Sequence, residues 1–292
     1  MLTKGFYTAL GTPLTEDGRI IESSLKKHIA AQIEAGASGL LLMGSMGIEE
    51  AVMLSEYKKA VDTAVCAVDG KIPLFVGAMD TSVAKVMEKV ALMGVGKKID
   101  GIVLTAPFYS KSDADSAVNF FRTVADRSPY PVYLYDLPSV AQLKIDIGII
   151  SKVIDHKNIK GMKSADWELI KEIERKFPNA DFVALCSRLD SFDYMNQIGI
   201  DKNLDGMFAC TPKTSRRMYD CMEKGNFVGA RAHLDNILLL RDTMIAHGLM
   251  GSFTHCMNLL GYEGNFHQDF RPAITDAAKQ VMLEVMKKIG EL

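Results

Sequence analysis

The chain has 292 residues, 48% hydrophobic and 24% charged, the balance of an ordinary soluble globular chain. A net charge of −2 with no basic block makes nucleic acid and anionic membrane poor partners. The opening MLTKGFYTALGTPL has no signal-peptide grammar, and no apolar run nears the roughly 18 residues of a membrane span.

Short apolar runs alternate with longer stretches of helical periodicity. GFYTAL from Gly5 comes first, followed by the amphipathic ESSLKKHIAAQIEAG, in which Gly36 suits a C-cap. GLLLM from Gly39 precedes SEYKKAVDTAVCAVDG, with Ser55 as the expected N-cap and Gly70 as the stop. PLFVGA from Pro73 leads to TSVAKVMEKVALMGVG, opened by Thr81 or Ser82. The remaining strand-like runs are GIVLTA from Gly101, PVYLY from Pro131, IKGMK from Ile159, DFVALC from Asp181 and DGMFA from Asp205. Strands apolar throughout belong to a sheet covered on both faces.

Eight βα units favour a (β/α)8 TIM barrel over residues 1–225. A doubly wound sheet is the alternative, but the first turn, GTPLTEDG, carries neither G-x-G-x-x-G nor a P-loop. Residues 226–292 show no convincing strand and are expected to form a C-terminal helical appendage. The five cysteines, Cys66, Cys186, Cys210, Cys221 and Cys256, are odd in number and irregularly spaced, which predicts buried, reduced thiols and a cytoplasmic location.

In such a barrel the active site lies at the carboxyl ends of the strands. Strand two ends in Gly44, Ser45 and Met46, and strand four leads to Phe108 and Tyr109. Strand five ends in Tyr135, strand six in Lys163, strand seven in Ser187 and Asp190, and strand eight near Cys210. Burial disfavours an ammonium group, and a neutral amine attacks a ketone to form a Schiff base. A nearby phenol shuttles protons to the substrate oxygen, and a Tyr–Ser–Tyr chain would carry them to solvent. Each signal alone has a bland reading: a snorkelling lysine, a rim tyrosine, a turn serine. Their coincidence at strand ends in one register favours chemistry.

Other chemistries find little support. None of the six histidines forms H-x-H or H-E-x-x-H, so no metal site is expected, and there is no G-x-S-x-G elbow. The 17 methionines read as adaptable core filler, and Trp167 as a packing residue.

At these residues the chain resembles the dihydrodipicolinate synthase/N-acetylneuraminate lyase family, from GFYTALGTPLTEDGRI to LLGYEGNFHQDFRPAIT. The motif G-[ST]-[TS]-G-E appears as GSMGIE, from Gly44 through Gly47 to Glu49. The strand-four Tyr-Tyr motif appears as TAPFYS, the Y-[ND]-x-P motif as YDLPS, and G-x-K as GMK. The resemblance implies a Lys163 Schiff base with a 2-oxo acid, usually pyruvate, and Tyr135 as proton donor and acceptor. It implies Ser45 linking Tyr135 to a Tyr109 that crosses from a neighbouring subunit, hence a homo-oligomer, tetramer or dimer. The Ser45 and Met46 amides would hold the carboxylate, Phe208 would contact pyruvate, and no cofactor is implied.

This chain departs from the pattern in several places. Met46 replaces a hydroxyl residue, and Ile48 stands at the glutamate position with Glu49 next. Val140 stands where the synthases carry an arginine for the semialdehyde carboxylate, which argues against that activity. YDLPSVAQLK is nearer the sialate lyase version, yet CSRLDS lacks its Gly and Glu, keeping only Asp190, and Cys210 replaces a hydroxyl residue toward the sugar tail. Arg188 either binds an anionic group or lies in a solvated loop. The expected activity is a carbon–carbon lyase that cleaves a 4-hydroxy-2-oxo acid to pyruvate and an aldehyde. The alternatives are a dehydratase or condensing synthase using the same imine, or a non-catalytic 2-oxo-acid binder.

Overall fold

A computed structural model describes residues 2–292. Eight parallel strands close in sequence order into a barrel: β1 (Gly5–Ala9), β2 (Gly39–Leu42), β3 (Leu74–Gly77), β4 (Gly101–Leu104), β5 (Val132–Tyr135), β6 (Ile159–Ser164), β7 (Val183–Cys186) and β8 (Lys202–Asp205). The helices of the first half are α1 (Glu22–Glu34), α2 (Leu54–Val68), α3 (Val83–Met93) and α4 (Ala114–Arg127). The short α5 (Pro138–Ala141) and α6 (Ile147–Ser151) follow β5, and α7 (Trp167–Lys176), α8 (Phe192–Gln197) and α9 (Pro212–Glu223) complete the outer ring. Three C-terminal helices, α10 (Phe227–His247), α11 (Leu249–Leu259) and α12 (Asp276–Lys288), pack beside it, α10 lying along α9. Among the described residues, no helix is long and apolar enough to cross a membrane.

Polar caps start many of these helices. Ser82 accepts the Lys85 amide, Asp113 that of Ser116, Asp166 that of Leu169 and Asn226 that of Gly229. The expected Ser55 cap is corrected: α2 begins two residues earlier, at Leu54, with Met53 in the cap position and no side-chain cap. The first-turn acid Glu56 accepts the Ile20 amide and pairs with Lys59.

The barrel interior explains three of the glycines in the strands. Tyr7, Phe75 and Tyr133 on β1, β3 and β5 pair in register with Gly39, Gly101 and Gly161 on β2, β4 and β6. The rings fill the interior that the glycines vacate, with Phe75 and Tyr133 packed edge to face at 4.9 Å. A Cβ on Gly161 would lie 2.7 Å from the Tyr133 ring and collide with the Val183 carbonyl, a backbone atom that cannot rotate away. Gly161→Ala is therefore expected to lower the unfolding free energy by about 3 kcal/mol, measured by urea titration.

The eighth strand is displaced from expectation. The run from Asp205 is not a strand: β8 is Lys202–Asp205, and Met207–Ala209 forms a 3-10 turn. Pairing with β1 fixes the register from Gly5↔Lys202 to Thr8↔Asp205. The chain then turns because the Asp205 carboxylate takes the Met207 amide at 2.8 Å.

Candidate active site

Tyr135 and Lys163 are register partners at the ends of β5 and β6, so their side chains share one face of the sheet. Tyr135 joins the inner cluster of Tyr7, Leu41, Phe75, Val103, Tyr133 and Leu204, which places that face inside the barrel. Lys163 is 6% exposed, and its Nζ donates to Tyr135 Oη at 3.1 Å. The same nitrogen lies 4.3 Å from the centre of the tyrosine ring, a cation–π distance. Ser45 Oγ is 3.2 Å from Tyr135 Oη, so one phenol joins lysine to serine. A nucleophilic amine in contact with a proton-transfer group is the constellation that imine chemistry requires.

Ser45 sits on the turn after β2. Gly47 is glycine there for a steric reason: a Cβ would sit 2.8 Å from the Leu10 carbonyl and 3.0 Å from Met43 Cα. Thr12 donates to the Gly47 carbonyl at 2.6 Å and ties the turn to the loop after β1. At Gly44 a Cβ would press on Leu41 at 2.8 Å. Among the described residues, the Ser45 and Met46 amides find no acceptor, which leaves two adjacent donors on the turn whose Ser45 hydroxyl meets Tyr135. Met46 packs over Gly206, where a Cβ would meet Met46 Cγ at 2.5 Å. Ile48 takes a left-handed φ of 46°, uncommon for a β-branched residue, and the chain then delivers Glu49 inward.

Glu49 is buried against Lys89, whose Nζ also reaches Asp80 at 3.0 Å and the Met79 carbonyl at 2.7 Å. Burial pushes the Glu49 carboxyl up to about 7, although the Lys89 ammonium pulls it back. Asp80, less deeply placed, is held below its ordinary range: burial would raise it, but the Thr81 amide and Lys89 outweigh that. Sequence reading did not find this triad, because Lys89 is one of several lysines on an ordinary amphipathic helix.

Other expected residues lie elsewhere. Tyr109 follows β4 at a φ of 77° and stands 91% exposed, with no hydrogen bond to Ser45 among the described residues. Asp190 is on the rim after β7, its carboxylate 4.0 Å from Arg188 and its carbonyl bound by Arg231 at 3.0 Å. Val140 is exposed on α5. Phe208 does not face the interior. It is fully buried in the outer core, with its ring 5.4 Å from Phe6 and 6.4 Å from Phe192. The β8 side chain that points inward is Leu204, the register partner of Tyr7. Cys210 is likewise corrected: it is buried in the outer core, its thiol 3.3 Å from the Met207 carbonyl and pushed up by burial. Both misplacements come from setting the eighth strand too late. No signal within the run marks β8, since three of its four residues are polar and only the pairing with β1 sets its register.

The family model described as the dihydrodipicolinate synthetase family matches residues 2–292. A 4-hydroxy-tetrahydrodipicolinate synthase of Acidiphilium cryptum is 26% identical, over 99% of both chains. A prophage protein of the dihydrodipicolinic acid synthase family from E. coli K12, solved in complex with pyruvate, superposes with a TM-score of 0.89 at 21% identity, covering 99% of each chain. A Clostridium difficile structure solved in complex with mannosamine superposes at 0.86 with 20% identity, over 98% of this chain and 99% of that one.

Proposed function

The chain belongs to the dihydrodipicolinate synthetase family, and from that premise we propose that it is a Schiff-base lyase cleaving a 4-hydroxy-2-oxo acid to pyruvate and an aldehyde. The observation that carries the reading is the contact of Lys163 Nζ with Tyr135 Oη at 3.1 Å, extended to Ser45 at 3.2 Å. Lys163 attacks C2 of the 2-oxo acid, and Tyr135 protonates the departing oxygen, which leaves as water. Tyr135 then takes the proton of the 4-hydroxyl. The C3–C4 bond breaks, its electrons pass into the iminium, and the aldehyde leaves. Protonation at C3 and hydrolysis release pyruvate and the free lysine. The Ser45 and Met46 amides would hold the carboxylate, with Leu204 and Met46 forming the apolar wall.

Incubation with pyruvate and borohydride, followed by peptide mass spectrometry, tests the reading. A reduced pyruvate adduct on Lys163 is expected, and an unmodified Lys163 would reject it. A condensing synthase is the second reading, favoured by the name of the Acidiphilium relative. The apolar Val140 argues against it, since valine cannot pair with a semialdehyde carboxylate. Consumption of aspartate semialdehyde with pyruvate would support it.

The exposed Tyr109 suits a role in a neighbouring copy's site. Phe108 and Leu54 line one cleft with Glu50, and Gln268, two residues from the exposed Phe270, donates to Glu50 at 2.6 Å. Apolar residues gathered on one rim fit a homo-oligomer interface. Lys163→Ala and Tyr109→Phe chains produced together are expected to regain activity that neither has alone, because a mixed pair contains one complete site. Absence of complementation in mixed oligomers would place Tyr109 in its own chain's site or in none.

A further inference from the structure

Asp136 directly follows Tyr135, and Ser164 directly follows Lys163. Side chains alternate along a strand, so this second pair lies on the outer face of the barrel, behind the first. There Ser164 Oγ donates to Asp136 Oδ2 at 2.7 Å and accepts the Asp166 amide at 3.0 Å. Lys144 pairs with Asp136 Oδ2 and lies 3.2 Å from Asp166 Oδ2. The Ile145 amide donates to the other Asp136 oxygen at 3.1 Å. Asp136, Ser164, Asp166 and Lys144 thus form a closed ring. It ties together the ends of β5 and β6, the segment between α5 and α6, and the N-cap of α7. The Asp136 amide adds a bond to the Lys163 carbonyl at 2.9 Å.

We infer that Asp136 and Ser164 are positioning residues that hold Lys163 within reach of Tyr135 from behind the sheet, an inference that rests on the imine reading for its catalytic consequence. The Asp136 carboxylate is 3% exposed and takes three donors, so it has little freedom to move. Any relative slip of the two strand ends would break those bonds together with the Lys163–Tyr135 contact. A buried carboxylate with its donors satisfied rigidifies what it joins.

The test compares Ser164→Ala, Ser164→Thr and Lys144→Met with the unaltered protein. The readouts are the maximal rate of borohydride-trapped imine formation with pyruvate, the pyruvate concentration giving half that rate, and the unfolding midpoint. A misplacement of the order of an ångström costs up to 10²-fold, so Ser164→Ala is expected to lower the maximal rate by about 10-fold with the half-saturating concentration little changed. Ser164→Thr, which keeps the hydroxyl, is expected to restore it. Lys144→Met opens the ring from its solvent side and is expected to give a smaller loss in a stably folded chain. A crystal structure of Ser164→Ala supplies a readout independent of turnover: Lys163 Nζ and Tyr135 Oη are expected to separate beyond hydrogen-bond reach. An unaltered protein that never traps pyruvate would defeat the imine reading alone, and the crystallographic distance would still decide the positioning role. Unchanged rates in the folded variants, or an unchanged distance, would overturn it.

Discussion

Lys163→Ala is expected to abolish imine trapping and to lower pyruvate release from any 4-hydroxy-2-oxo acid substrate on the order of 10⁴-fold or more, because removing a covalent nucleophile removes the pathway and not merely a contact. The chain should still fold. The substitution leaves the Tyr135–Ser45 bond in place, and the outer ring still joins β5 to β6. Equilibrium binding of pyruvate separates the rival classes. In an enzyme the variant retains at most weak noncovalent affinity, since the covalent bond is gone. A binder that never used an imine would keep its affinity after the substitution. Activity persisting at even a tenth of the original level would assign the reaction to another group.

Lys89→Met should have the largest effect on stability outside the barrel interior. It leaves the buried Glu49 without its cation, while Asp80 keeps only the 3.6 Å contact with Lys85, and breaking a buried pair on one side costs about 3–5 kcal/mol where Glu49 is ionised. The loss should depend on pH with a definite sign. In the folded protein the Glu49 carboxyl is raised to about 7 from an ordinary value of 4.5, so the folded state binds more protons than the unfolded state between those values. This group therefore subtracts stability as pH rises through that window. Without Lys89 the folded carboxyl is raised further and the loss extends to higher pH. Urea unfolding at pH 5, where Glu49 is protonated in both folded proteins, should show a small deficit, and the deficit should grow as pH rises from 7 to 9. A deficit equal at pH 5 and pH 9 would mean that Lys89 acts through packing alone. Adding Glu49→Gln should remove most of the pH dependence.

The two networks flank the proposed reacting groups from different sides. The Glu49 triad lies under the turn that carries Ser45, and the Asp136 ring lies behind the strands that carry Tyr135 and Lys163. Loss of the first should appear chiefly in stability, and loss of the second chiefly in the rate of imine formation.

The sequence by itself determined the alternation of apolar strands with amphipathic helices, and with it a barrel closed by eight βα units. It also singled out the groups proposed to react: a lysine, a tyrosine and a serine interrupting apolar runs where hydrophobic residues would otherwise stand. Such interruptions are legible because burying a polar group without a partner is costly, so each one demands a reason. Only the tertiary structure decided the rest. Three of the four residues of strand β8, Lys-Asn-Leu-Asp, are polar, and only its pairing with β1 identifies it, which is why Phe208 and Cys210 were expected at the mouth while Leu204 occupies the inward position. Asp136 and Ser164 are 28 residues apart, and Glu49 and Lys89 are 40 apart. Each is an ordinary polar residue in its own segment. They become partners only when barrel closure brings strand ends and helices together, because hydrogen bonds and ion pairs act over a few ångströms in space irrespective of separation along the chain.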